Sequence, residues 1–148
     1  MTPKLPIFFI VMTVVIDAMG IGLIIPVMPQ LLLEVLPTAT LGQAAIWGGI
    51  MAMLFSLMQF LFGPMLGSLS DQYGRKPLLL VTLVIMALGY LIMALAGGIW
   101  LLLFGRIIGG ISSATQSTAA AYIADISKPD EKAGNFGLIS AGFGIGFV

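Results

Sequence analysis

Long apolar runs separated by short polar segments dominate this chain. A helix of about 20 residues crosses about 30 Å of hydrocarbon. Hydropathy predicts four complete spans, at about residues 7–28, 44–66, 77–96 and 99–123, and a shorter fifth run at 136–148. At 1.5 Å per residue the fifth run covers roughly 20 Å, too little to cross a bilayer. The pattern therefore predicts an all-α polytopic membrane protein, the truncated N-terminal half-domain of a larger one, with four transmembrane helices and a partial fifth.

The first apolar run follows Lys4 near the N-terminus, as a secretory signal would. It is longer than the hydrophobic region of a signal, it has no Ala-x-Ala cleavage site, and further spans follow it. We therefore interpret it as the first membrane helix, which closes through Pro26 and Pro29.

The basic residues indicate how the chain lies in the membrane, because Lys and Arg in short loops are retained on the cytoplasmic side. On one side of the predicted topology lie Lys4, Arg75, Lys76, Lys128 and Lys132. The opposite loops, at 34–43 and 97–98, contain neither Lys nor Arg. The sequence thus predicts a multi-pass protein of the inner (plasma) membrane with a cytoplasmic N-terminus.

Composition excludes several classes of function. Only 8% of the residues are charged, against roughly a quarter in soluble domains, and a formal net charge of +0 offers no basic surface to nucleic acid. Cys and His are absent, which removes thiol nucleophiles, imidazole bases and most transition-metal ligands. The Ser112-Ser113 pair has no base to activate it. We therefore expect neither an enzyme nor a metal site.

Two charged residues, Asp17 and Arg106, lie inside predicted spans. Each costs about 2.5 to 3.5 kcal/mol at a helix centre. Counted from the ends of their helices, both lie at nearly the same depth, so their side chains can pair. They are either a structural ion pair that joins two helices or a proton or substrate site in a water-filled cavity.

Small and polar residues continue from Arg106 along one face of the fourth span, at helical spacing: Gly109, Gly110, Ser113, Gln116, Ser117 and Ala120. Such a face either lines a cavity or lets helices approach closely. We expect packing for the glycines and a cavity for Gln116, while Gln59 in the second span fits both. The residues predicted to line a proton or substrate pathway are therefore Asp17, Gln59, Arg106, Ser113, Gln116 and Ser117.

The most specific stretch lies between the second and third spans and reads Gly67-Ser-Leu-Ser-Asp71-Gln-Tyr-Gly-Arg75-Lys-Pro77. A basic loop alone does not require an Asp a few residues before Gly-Arg-Lys-Pro. This combination resembles the signature loop of the major facilitator superfamily. The resemblance extends to Asp17-Ala-Met-Gly-Ile-Gly-Leu23, Gly105-Arg106, Ile123-Ala-Asp125 and residues 137–148, and it favours the drug/proton antiporter branch, which includes bacterial tetracycline-resistance efflux transporters.

The resemblance implies a twelve-helix transporter whose two halves rock around a central site. It implies proton-coupled efflux of small amphipathic, tetracycline-like compounds, with the proton as coupling ion and no other cofactor. The implied partners are the substrate, protons, the lipid bilayer and a missing C-terminal half. Asp17 and Arg106 match the acid of the first helix and the arginine of the fourth that is associated with proton coupling. The residues implied for a cytoplasmic gate are Gly67, Asp71, Gly74, Arg75, Lys76 and Asp125, with Arg75 bridging to Asp125.

Two alternatives stay open at this point. A uniporter or importer of the same fold would have nearly the same sequence, and a short chain could be inactive alone. One departure bears on the substrate: tetracycline exporters of this type carry an acidic residue where this sequence has Gly89, beside Tyr90. A metal-chelated cationic drug therefore loses an expected contact.

Overall fold

The protein, seen in a computed structural model, is described for residues 4–113 and 115–148. The regular elements within these ranges are helices: α1 Lys4–Val35, α2 Leu41–Tyr73, α3 Arg75–Ala94, α4 Ile99–Ser112, α5 Thr115–Ile126 and α6 Lys132–Phe147. Four stretches are long and apolar enough to cross a membrane, the fourth formed by α4 and α5 together. The predicted all-α protein with four spanning helices is confirmed. The side chain of Lys4, used above for orientation, lies outside the described part of the chain.

Helix α1 continues through Pro26 and Pro29 to Val35 instead of closing at them. A proline removes one helical hydrogen bond, whereas ending the helix inside a bilayer would leave several backbone groups without partners. The unbroken helix is therefore the better solution for a segment surrounded by lipid. It carries the chain past the predicted end of the first span by about two turns.

The ends of α2 are set by local hydrogen bonds. Thr40 and Gln43 form a capping box: the Gln43 backbone N–H donates to the Thr40 hydroxyl at 3.3 Å, and the Thr40 N–H donates to the Gln43 side chain at 2.9 Å. At the other end the helix runs on to Tyr73, through most of the segment predicted as a loop. Gly74 alone separates α2 from α3, with a φ of 96° that favours glycine.

The fourth span is interrupted in its middle. Helix α4 ends at Ser112 and α5 begins at Thr115. The hydroxyls of Ser112 and Ser113 turn back to the carbonyls of Gly109 and Gly110, at 3.1 and 2.8 Å. Such bonds offer the backbone an alternative to the helical pattern, so they favour a break at this point.

Helix α1 packs mainly on α6, while α4 packs on both α2 and α3. Close approach depends on glycines: a Cβ atom built at Gly110 would lie 2.6 Å from the Phe55 carbonyl oxygen, and one at Gly142 would lie 3.0 Å from Val11. The expected packing role of the glycines after Arg106 is thus confirmed at Gly110. Large apolar side chains such as Phe60 and Trp100 remain on the outer surface, each 77% exposed, as contact with lipid requires.

The buried apolar residues form two clusters at different levels. One joins α1, α5 and α6 near the end that carries Arg75 and Lys128, which we call the basic end; it contains Ile7, Ile10, Val14, Ala119, Ile123 and Ile139. The other lies towards the opposite end and joins the four helices α1, α2, α3 and α4. It contains Met28, Leu32, Ala44, Met51, Met93, Leu102 and Leu103. The middle of the bundle lies between the two clusters, and the polar residues of the spans are found there.

Candidate functional site

A cavity of about 130 Å³ occupies this middle level. Its polar lining consists of Asp17, Gln59, Tyr90, Arg106, Ser113 and Gln116. Five of the six residues predicted for a pathway are therefore brought together by α1, α2 and the fourth span. Ser117 is not among the lining residues. The shared depth of Asp17 and Arg106, expected from their positions in the sequence, agrees with their common cavity.

Asp17 lies on α1 between the two apolar clusters and is only 6% exposed. The Thr115 side chain at the start of α5 interacts with its carboxylate, although the Thr115 hydroxyl makes no hydrogen bond of 3.5 Å or less to another described residue. A carboxylate inside a membrane helix needs water, a proton or a counter-ion. Asp17 faces the cavity, which can provide them.

Of the two alternatives for Asp17 and Arg106, the structural ion pair is not formed. Both ion pairs formed by the described residues belong to Arg75, so no carboxylate among them lies within 4.0 Å of the Arg106 guanidinium. The guanidinium instead lies over the Phe55 ring, 5.6 Å from its centroid. Depth along a helix can be counted from the sequence, but the direction in which a side chain points depends on how the helices are rotated.

Arg106 lies where two spaces meet. It lines the central cavity, and it also lines a crevice of about 400 Å³ between α1 and α2 towards the opposite end, with Met28, Pro29 and Gly48. Its Nε atom is buried without a hydrogen-bond partner among the described residues. The guanidinium is thus available to a group that enters either space.

Tyr90 was not predicted as a site residue, yet it interacts electrostatically with both Asp17 and Arg106. Its ring packs against α1 at Gly20, where a Cβ atom would lie 2.6 Å from the Tyr90 Cε2 atom. The sequence did contain a signal for Tyr90: it places a phenol within an otherwise apolar run, and a buried hydroxyl needs a polar neighbour. Phe55, which carried no such signal, is found only through the fold.

Gln59 connects α2 to the interruption of the fourth span. Its amide Nε2 donates to the Ser113 carbonyl at 3.4 Å, a long hydrogen bond to a backbone group at the helix break. A carbonyl released at a break inside a membrane needs a new donor. Gln59 provides one from a neighbouring helix, at the wall of the cavity.

A second polar cluster lies at the basic end. Arg75 contacts Asp71 one turn earlier at 2.7 Å and Asp125 at the end of α5 at 2.9 Å, and its Nη1 donates to the Ser70 hydroxyl at 3.4 Å. The bridge from Arg75 to Asp125, which the resemblance implied, is therefore present. It ties the α2–α3 corner to the fourth span.

The other residues implied for a gate surround this cluster. Gly74 provides the corner itself, and its N–H donates to the Ser70 carbonyl at 3.1 Å. Lys76 is exposed at the edge of an apolar groove between α1 and α3. Gly67 has open space beside it, since a Cβ atom there would meet nothing within 4 Å.

Comparison with known proteins gives the family. The model of the Major Facilitator Superfamily matches residues 10–148. The chain belongs to the major facilitator superfamily. This family membership indicates part of a membrane transporter.

Members of the superfamily with high similarity include two bacterial proteins. The class C tetracycline resistance protein of Escherichia coli is 46% identical over 92% of this chain and 34% of its own length. The class G tetracycline resistance protein of Vibrio anguillarum is 45% identical over 90% of this chain and 33% of its own length. The chain thus spans about a third of the length of these relatives.

A solved structure of the superfamily has the same fold. The crystal structure of the human organic anion transporter MFSD10 superposes with a TM-score of 0.79 at 25% sequence identity. The match covers 95% of this chain and 38% of that one. The helix arrangement described above is therefore the arrangement of the first part of a superfamily transporter.

Proposed function

We propose that this chain forms the N-terminal part of a proton-coupled exporter of small amphipathic, drug-like compounds. The relatives named as tetracycline resistance proteins support export of a drug. The single observation that carries the coupling is Asp17, a buried carboxylate on a membrane helix that faces a cavity shared with Arg106 and Tyr90. Protons are the coupling ion, and no other cofactor is needed.

The mechanism requires one carboxylate to alternate between two ligands. With the cavity open to the cytoplasm, the substrate enters and the Asp17 proton leaves. With the cavity open to the outside, the substrate leaves and a proton binds Asp17 in its place. Since the two compete for one group, the inward free energy of the proton drives the substrate outward.

The basic end is proposed to face the cytoplasm of a cell with the protein in its inner membrane, because Lys and Arg are retained there. In this orientation Asp71, Arg75 and Asp125 form half of a cytoplasmic gate, supported by Gly67, Gly74 and Lys76. The other half comes from a second set of six helices, which completes the transport pathway. Asp71 would face the N-terminal end of a helix in that second half, where a carboxylate is favoured.

Proton movement in inverted membrane vesicles tests this function. Vesicles containing the full-length transporter are energised, and the release of lumenal protons on drug addition is followed with a pH-sensitive dye. Asp17→Asn should abolish drug-dependent proton release, while Asp17→Glu should retain part of it. Asp130→Asn, which removes an exposed acid in the loop before α6, is the matched control and should behave as the wild type.

Three results would reject the proposal. Undiminished proton release in the Asp17→Asn variant would remove Asp17 from the coupling. Drug movement by the wild type without proton movement would identify a uniporter of the same fold. Net drug movement with the proton, in the same direction, would identify an importer.

A further inference from the structure

The central cavity contains two opposite charges that do not neutralise each other. Asp17 enters from α1 and Arg106 from α4, and both line the same 130 Å³ space. Among the described residues, ion pairs of 4.0 Å or less are formed by Arg75 and not by either of these two. Each charge therefore faces the cavity in need of its own partner.

None of the described residues accepts a hydrogen bond from the buried Nε–H of Arg106. Nearby lie the Phe55 ring at 5.6 Å and the glycine backbones of α3 and α4, with Gly89 and Gly109 in the lining. A ring face attracts a cation but accepts no strong hydrogen bond from the planar fork of the guanidinium. A carboxylate, phosphate or other oxyanion would supply the missing acceptors in bidentate geometry.

No cation among the described residues lies within 4.0 Å of the Asp17 carboxylate. The side chains that interact with Asp17 are Thr115 and Tyr90, of which Tyr90 also lines the cavity. Neither carries a positive charge. A protonated amine of a ligand would supply the charge that Asp17 lacks, in the position that a proton takes when the ligand has left.

We propose that the substrate of this cavity is amphoteric, with an anionic group that binds Arg106 and a protonated nitrogen that binds Asp17. A ligand with a single charge would compensate one residue and leave the other buried beside it without a counter-charge. A ligand with both charges compensates both, and the site as a whole stays neutral. The inference rests on the proposed function, since it takes this cavity as the transport site.

The remaining lining indicates what the substrate carries besides the two charged groups. Ile21, Phe55, Met86 and Met93 give the cavity apolar and aromatic walls, and methionine adapts to ligands of varied shape. The body of the substrate is therefore a compact apolar or aromatic unit. Gln59 and Gln116 add neutral hydrogen-bonding groups at its side.

Four conjugates of one fluorophore test the charge requirement. Nε-dansyl-lysine carries an ammonium and a carboxylate. Its amide carries only the ammonium, its Nα-acetyl derivative only the carboxylate, and the acetylated amide neither. Equilibrium binding is measured by dansyl fluorescence at pH 7, where the α-amino group of the amide is mostly protonated, on the purified full-length transporter in lipid nanodiscs, with empty nanodiscs as the blank.

The wild type should bind the zwitterion at least about tenfold more tightly than either singly charged conjugate, because a hydrogen bond to a charged group is worth about that factor. Arg106→Gln should abolish the preference for zwitterion over amide, and Arg106→Lys should retain part of it. Asp17→Asn should abolish the preference for zwitterion over acetyl derivative. Lys128→Gln and Asp130→Asn, which remove charges from the loop before α6, should change neither ratio.

The proposal is overturned if a singly charged or neutral conjugate binds the wild type as tightly as the zwitterion, if none of the four binds, or if the ratios survive both substitutions in the cavity. Proton release in inverted vesicles separates this failure from failure of the proposed function. Release with the singly charged ammonium conjugate alone would leave proton-coupled export standing and reject the amphoteric substrate. Charge-dependent binding without proton movement would support the amphoteric substrate and reject the coupling.

Discussion

The Tyr90 ring rests directly on the backbone of Gly20, with a space between α1 and α3 too small for one methyl group. A Cβ atom at Gly20 would lie 2.6 Å from the Tyr90 Cε2 atom and 2.8 Å from Cζ. Because Gly20 is about one helical turn from Asp17, this contact places the phenol beside the carboxylate. The position of Tyr90 in the cavity therefore depends on a glycine that contributes no side chain of its own.

Gly20→Ala should move the phenol out of the cavity while leaving the protein folded, since the end of a tyrosine side chain can swing aside. We expect transport to fall about tenfold and the free energy of unfolding to change by less than about 1 kcal/mol. Transport in vesicles and thermal unfolding in detergent measure the two effects. Tyr90→Ala should lower transport similarly, and the double variant should be no worse than either single one. Additive losses would show that Gly20 acts without Tyr90.

The Arg75–Asp125 ion pair should contribute modestly to stability and be sensitive to salt. Arg75 is 21% exposed and Asp125 is 54% exposed, so water and ions screen the pair. A double-mutant cycle with Arg75→Gln and Asp125→Asn should give a coupling free energy of about 0.5 to 1 kcal/mol at low salt and close to zero at about 1 M salt. Unfolding by denaturant in detergent measures it.

The control is a second cycle that uses Asp130→Asn in place of Asp125→Asn. Asp130 is an exposed acid that forms none of the described ion pairs. It should show no coupling to Arg75 at either salt concentration. A coupling that persists unchanged in high salt would contradict the view that the pair is screened. It would point instead to a rearrangement of the corner between α2 and α3.

Two adjacent glycines of α4 should differ in their tolerance of alanine. A Cβ atom at Gly110 would lie 2.6 Å from the Phe55 carbonyl oxygen, which is backbone and cannot move alone. We expect Gly110→Ala to destabilise the protein by about 1 to 3 kcal/mol as α2 and α4 separate. At Gly109 the nearest atom is Phe55 Cε2 at 3.5 Å, so Gly109→Ala should change stability by less than about 0.5 kcal/mol.

Thermal unfolding of the two alanine variants in one detergent makes the comparison direct, because both substitutions add the same methyl group to the same helix. Equal melting temperatures would mean that α2 and α4 do not approach as closely as described. A lower melting temperature for Gly109→Ala alone would reverse the expected order and contradict the described packing of α2 on α4.

Gly89→Asp should change which charges the cavity accepts. A Cβ atom at Gly89 would lie 3.3 Å from the Gly105 carbonyl oxygen and 3.4 Å from Ile108 Cγ2, so the new carboxylate would emerge against α4 next to the Arg106 position. The new carboxylate would compensate the charge of the Arg106 guanidinium. The cavity would then accept a cationic, metal-chelated drug more readily. The tetracycline concentration that inhibits growth should rise at least about twofold relative to Gly89→Asn, the uncharged control of the same size. No difference between the two variants would contradict this.

The number and order of the membrane helices could be predicted because the bilayer sets one length for every span. Their ends could not be predicted well, because they depend on local hydrogen bonds. The capping box of Thr40 and Gln43 begins α2 before the apolar run starts, and the positive φ of Gly74 lets it continue to Tyr73. Pro26 and Pro29 do not end α1, because in lipid a broken helix costs more free energy than one missing hydrogen bond.

The site was predicted in part for a similar reason. A charged or amide side chain inside an apolar span stands out in a sequence, and Asp17, Arg106, Gln59 and Gln116 do line the cavity. Their lateral relations depend on the rotation of each helix about its axis, which depth alone does not determine. The contact of Arg106 with Phe55 and the central place of Tyr90 follow from that rotation and required the fold.

Gly74 alone connects the second and third spans, so the distance between the ends of α2 and α3 can hardly change. With a single residue between the two helices, neither can slide along the other at this end without carrying its partner. Arg75 follows directly, so a pull on its guanidinium from the fourth span acts on two helices at once. Through Arg75 the corner also holds the end of α5, so we expect α2, α3 and α5 to shift together at the basic end and not one by one.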